Sequence, residues 1–141
     1  MKWYDKPHSL RNRETAVKLL KFIDEEETYK YITDADEQKF DSLFFNYWKP
    51  YDPTPDDSYN ELMDEYYKRA DYAAMNFSSI SGKPGLESDR GKIYIKFGKP
   101  VNIERTSNEN GKMIEIWEYA NQKKFSFIDE KGTGEFNLMN G

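Results

Sequence analysis

Residues 82–97 read Gly82-Lys83-Pro84-Gly85-Leu86-Glu87-Ser88-Asp89-Arg90-Gly91-Lys92-Ile93-Tyr94-Ile95-Lys96-Phe97, and the rhythm of apolar residues changes across them. In 92–97, Ile93, Ile95 and Phe97 alternate with Lys92, Tyr94 and Lys96, a period of two that predicts a half-buried strand. Gly98-Lys99-Pro100 ends it. On the amino-terminal side, Ser78, Ser79, Ser81, Gly82, Pro84 and Gly85 punctuate a loop. Before that loop apolar residues recur at the helical period; after it the chain reads as strand throughout.

Upstream, Ala16, Val17, Leu20 and Ile23 predict a first helix over about 9–23, with Arg and Lys on its other side. The acidic run at 24–27 reads as a solvated helix end. Thr33 as cap, followed by Asp34, Asp36 and Glu37, predicts the start of a second helix. Its stripe is Phe40, Leu43, Phe44 and Tyr47, and it must finish before Pro50. In the connector at 52–57, Thr54 reads as the cap of a third helix, Pro55 as its first residue, and Asp57 as a first-turn acid. Tyr59, Leu62, Met63, Tyr66, Ala70, Ala73, Ala74 and Phe77 then give that helix about six turns.

Downstream, a short strand at 101–105 is followed by Asn110-Gly111, a strong hairpin turn, and a strand at 113–119. Turns at 121–122 and 131–134 delimit further strands near 123–128 and 135–139. Helices first and strands afterwards predict an α+β domain. The expectation is about three amino-terminal helices packed on a four- to five-stranded antiparallel meander. It is read as one domain over 1–141, helical over about 9–77, loop over about 78–90 and sheet over about 91–139.

Composition narrows the function. The 141 residues suffice for one ordinary domain, and 37% hydrophobic with 16% aromatic content supplies a core. With 21 Lys and Arg against 26 Asp and Glu, the net charge of −5 disfavours binding to nucleic-acid phosphates. No apolar run approaches the roughly 20 residues needed to span a bilayer. The absence of cysteine excludes disulfides, thiolate catalysis and Cys-based metal sites. His8 is the only histidine and lies in a polar segment without core periodicity, a poor setting for a catalytic triad. Neither G-x-S-x-G nor S-x-x-K occurs. The glycine-bearing loop runs from helix to strand, the wrong context for a phosphate-binding loop. Asp34 and Asp36 begin a calcium-loop spacing, but no glycine follows, so they read as helix-start acids. No cofactor and no metal is expected. Tyr47, Trp48 and Tyr51 cluster near the end of the second helix, where aromatics serve either packing or stacking on sugars.

The loop at 82–91 is the most unusual stretch, and such loops carry function more often than scaffolds do. Its plain reading is a connector in which Asp89 accepts backbone N–H bonds, Arg90 pairs with a carboxylate, and the glycines relieve the backbone. At these residues the chain resembles the GWxTD domain family. Asp-Pro-Thr-Pro at 52–55, Glu65-Tyr66-Tyr67-x-Arg69, Gly85-Leu86-Glu87-Ser88-Asp89, Arg90-Gly91-Lys92-Ile93-Tyr94-Ile95, Phe97-Gly98-Lys99-Pro100 and Trp117-Glu118-Tyr119 all look like that family's landmarks. Together they cover about 30–139. Leu86 stands where the motif has Trp, and Ser88 where it has Thr.

The resemblance implies a domain of exported bacterial envelope proteins, largely of the Bacteroidetes, excised here from a longer chain, periplasmic or associated with the outer membrane. On that basis the expected function is a non-enzymatic protein-interaction or structural module. Its partners are other domains of a parent protein or an envelope protein, with no membrane insertion by this segment. Gly85, Asp89, Arg90 and Gly91 are the candidate carriers, with Trp117 on the sheet. Tyr94 and its flanking lysines would face a partner from the outer face of the sheet. The alternative is a carbohydrate-binding or carbohydrate-active domain, which would need an exposed aromatic platform formed from Trp3, Trp48 or Trp117 and facing carboxylates.

Overall fold

The computed structural model describes residues 6–24, 26–54 and 60–139. The chain divides into two compact units, Met1–Asp71 and Tyr72–Gly141.

In the first unit the predicted helix at 9–23 is three short pieces: a 3-10 turn at His8–Arg11, α1 at Arg13–Lys18 and a second 3-10 turn at Leu19–Phe22. Asn12 causes the first break. Its backbone is extended and its side chain accepts from the Thr15 amide at 3.1 Å, so it caps α1 rather than continuing a helix. The second helix also begins later than expected. Thr33 closes α2 (Lys30–Thr33), and Asp36 caps α3 (Glu37–Trp48) by accepting from Lys39 N at 3.0 Å. A carboxylate there meets the positive end of the helix as well as an unpaired amide. α3 ends before Pro50 as predicted and buries Phe40, Phe44 and Trp48.

α4 (Glu61–Asn76) is capped by Asn60, whose Oδ1 accepts from Met63 N at 2.9 Å while its Nδ2 donates to Trp48 O at 2.9 Å. The expected cap, Thr54, instead donates to Glu61 Oε1 at 2.6 Å. Pro55, Asp57 and Tyr59 lie outside the described residues. Buried tyrosines of α4 fasten the first segment: the Tyr66 hydroxyl donates to Leu19 O, and the Tyr67 hydroxyl to Ala16 O at 2.6 Å. Burial raises both phenol pKa values, which keeps them neutral donors. Asp71 accepts from His8 N and Ser9 N at 2.7 and 2.8 Å. Trp48, Tyr67, Leu20, Ile32 and Met63 form the centre of this unit.

The second unit holds the sheet: β1 (Asn102–Ser107), β2 (Met113–Glu118), β3 (Lys124–Asp129) and β4 (Asn137–Leu138), in the order β1-β2-β3-β4 and antiparallel throughout. This is the predicted meander, and the chain has the predicted α+β class. The hairpin at Asn110-Gly111 forms as expected, with Gly111 at φ 76° and Asn108 Oδ1 accepting from the amides of Asn110 and Lys112.

One element is corrected. Residues 92–97 are not a strand; they belong to helix α5 (Asp89–Phe97). Ser88 caps its start, Asp89 sits in the first turn, Lys96 in the last, and Gly98 ends it at φ 83°. These end signals outweigh an alternation only six residues long. Among the described residues, no helix is long and apolar enough to cross a membrane.

Candidate functional site

The loop ahead of α5 and the first turn of that helix are built around two glycines, Gly85 and Gly91, that cannot carry a side chain. A Cβ on Gly85 would stand 2.0 Å from Ala73 O, and one on Gly91 would stand 2.0 Å from Gly85 O. Both obstacles are backbone. Ser88 Oγ locks the turn: it donates to Gly85 O at 2.7 Å and accepts from Gly91 N at 2.9 Å. A hydroxyl is what this position uses, and serine supplies it. Asp89 Oδ2 accepts from Leu138 N at 2.7 Å, which ties the first turn of α5 to the edge strand β4.

Arg90 points inward and is 7% exposed. Its Nη1 lies 3.4 Å from Glu115 Oε1 and its Nη2 3.4 Å from Gly134 O. The guanidinium carbon sits 4.8 Å from the ring centre of Phe77 and 4.3 Å from that of Phe136, which places the cation between two π faces. Burial lowers the arginine's pKa, and the Glu115 carboxylate opposes that shift. The Gly134 carbonyl is presented by a turn that Asp129 shapes, accepting from the amides of Thr133 and Gly134 at 3.1 and 3.0 Å.

Glu115 is the hub. Only 2% exposed, it accepts from Trp117 Nε1 at 2.7 Å through Oε1 and from Arg105 Nε at 2.9 Å through Oε2. The register explains the grouping: Arg105 lies opposite Glu115 and Ile103 opposite Trp117, so all four share one face of the sheet. Trp117 is fully buried, with ring centres of Phe127, Phe77 and Tyr94 at 4.9, 5.5 and 6.2 Å.

The five candidates therefore meet in one structural cluster. Gly85 and Gly91 permit the close turn, Asp89 and Arg90 anchor it, and Trp117 shares Arg90's carboxylate. Asp89, Arg90, Arg105 and Glu115 each bond atoms of this chain, while Arg90 Nε is buried without a partner. The expectation for Tyr94 is corrected: it lies on α5, not on the outer sheet face, stacked on Tyr72 with ring centres 4.6 Å apart. Sequence reasoning missed Glu115, Phe136 and Asp129; for Glu115 the available signal was a carboxylate set between Ile114 and Ile116 in β2.

Elsewhere, Trp48 is 1% exposed, and Trp3 lies outside the described residues. Tyr47 donates to Asp24 Oδ2 at 2.8 Å; with the stronger bond from Thr28 it holds that carboxyl below its ordinary pKa. Asp36 caps α3 as a helix-start acid, whereas Asp34, expected in the same role, follows the end of α2 instead. Among the described residues no cluster of His, Cys, Asp and Glu could hold a metal ion.

The family model described as the GWxTD domain matches residues 5–139, nearly the whole chain. No curated protein and no solved structure matches it.

Proposed function

We propose that this chain, which belongs to the GWxTD domain family, is a non-enzymatic interaction or structural module of a bacterial cell-envelope protein of the Bacteroidetes type. It would act in the periplasm or at the outer membrane and contact other domains of its parent or an envelope partner. The observation that carries this reading is the consumption of the motif: Asp89, Arg90 and Trp117 all bind groups of their own chain. A motif used this way builds a scaffold, and the contact surface belongs elsewhere.

The open edge of the sheet supports such a surface. β4 has two residues, and Asp89 takes one of its amides. β1 has six residues, all exposed, with neither lysine nor proline to blunt it. Asn108 N donates to Lys112 O, so counting back by twos points the backbone groups of Ile103, Arg105 and Ser107 away from β2. An added strand from a partner would pair there.

Ile103→Pro tests this, because it removes an outward N–H and no bond of the ladder. The expected outcome is an unchanged melting temperature with loss of the proteins that the wild-type chain retains from a detergent extract of the bacterial envelope. Equal retention by both chains contradicts the edge as the contact surface.

A further inference from the structure

The sheet ends differently on its two sides. At β4 the outward amide is that of Leu138, and Asp89 Oδ2 already accepts it at 2.7 Å. At β1 the outward groups belong to Ile103, Arg105 and Ser107, and the whole strand is exposed. A second copy of this chain therefore meets one open edge. Head-to-tail addition, β1 of one copy on β4 of the next, would build an open fibre, and Asp89 blocks it at β4. Pairing of β1 with β1 about a two-fold axis is the arrangement left, and it uses up both open edges.

Side chains choose the register. A two-fold axis on Glu104 sets that residue against its own copy, and an axis on Arg105 does the same for the arginine, so like charges lie directly opposite in both. An axis on Thr106 avoids this but leaves Ile103 against Glu109 of the hairpin. An axis on Ile103 sets Ile103 against Ile103 and Asn102 against Glu104, an apolar contact flanked on each side by an amide and a carboxylate. Ile103 is 49% and the adjacent Val101 67% exposed in the single chain, so this register covers apolar surface that otherwise faces water.

We propose that two copies of this chain pair through β1, antiparallel and centred on Ile103, so that their four-stranded sheets join into one. This rests on the sheet-edge reading and names the partner at that edge as a second copy of the chain. One short strand buries less than a standard interface, so the expected dissociation constant is about 100 μM.

Sedimentation equilibrium of the chain up to about 1 mM tests this, at about 0.15 M salt to screen the repulsion between two chains of net charge −5. The expected result is a monomer–dimer equilibrium that Ile103→Pro weakens about tenfold or more, since each copy loses an N–H bond across the axis. The chain has no cysteine, so Ser107→Cys carries a single spin label per copy. Ser107 lies four positions from the axis, and at 3.4 Å per residue the two labelled positions should stand about 27 Å apart. A monomer at every concentration overturns the proposal, as does a dimer that survives Ile103→Pro or a label separation under about 15 Å. A monomer whose capture of envelope proteins still depends on Ile103 overturns the self-pairing alone and leaves the sheet-edge reading in place.

Discussion

Glu115→Ala is expected to cost about 3–5 kcal/mol, because it leaves the Arg90 guanidinium buried without its carboxylate. The Trp117 indole N–H loses its acceptor in the same step. Against a total stability of about 5–15 kcal/mol for a typical domain, that loss leaves a small margin. Arg105→Ala removes a bond to the same carboxylate at 2.9 Å, yet the Arg105 side chain is 63% exposed, so the expected cost is under about 1 kcal/mol. Shorter distance and smaller effect go together here because water competes for one guanidinium and not for the other. Urea unfolding of the two variants, with secondary structure followed by circular dichroism, checks the contrast. Equal losses would mean that Arg90 is solvated and that Glu115 is no hub.

Gly85→Ala is the second large effect. The new methyl would stand 2.0 Å from Ala73 O and 2.9 Å from Ala73 C, both backbone atoms within α4. A flexible side chain could swing aside, whereas a helix carbonyl has to move its helix. The expected destabilisation is about 3 kcal/mol, at the upper end for overpacking. Gly111→Ala makes the fitting control: its Cβ meets nothing within 4 Å, so only the strain of φ 76° is added, about 1 kcal/mol. Thermal melts of the two variants separate collision from strain, and a Gly85→Ala chain as stable as Gly111→Ala would contradict the close packing of the turn on α4.

The sequence is legible where one face of an element is uniformly apolar. α3 and α4 announce themselves through i, i+3, i+4 stripes, and β2 and β3 through turns at both ends. α5 hides because Ile95 is buried while Ile93 and Phe97 are half-buried on either side of it. Apolar residues then fall on alternate positions by coincidence of packing, and a six-residue window cannot separate the two periods. Ser88, Asp89 and Gly98 carried the correct answer as end signals. The long first helix fails for the opposite reason: its stripe is real, but Asn12 and the 3-10 turn after Lys18 cut it into pieces.

The candidate residues were found by loop composition, and their partners were not. Arg90 announces a carboxylate without saying which of the 26 acids provides it. Glu115 sits between Ile114 and Ile116 with Met113 and Trp117 beyond them, so both faces of β2 are apolar. Alternation alone cannot place its carboxylate inside. The register of β1 against β2 does, by setting Arg105 opposite it.

Asp89, Arg90 and Trp117 are spent inside the fold. Hydrogen exchange of the Trp117 indole N–H tests it most directly, since that proton is held by Glu115 beneath Arg90. The indole proton is expected to exchange as slowly as the slowest amides of β2 and β3, opening only when the second unit unfolds. Exchange complete within the dead time, with those amides still protected, would show an open cluster free to meet a ligand and would contradict the scaffold reading.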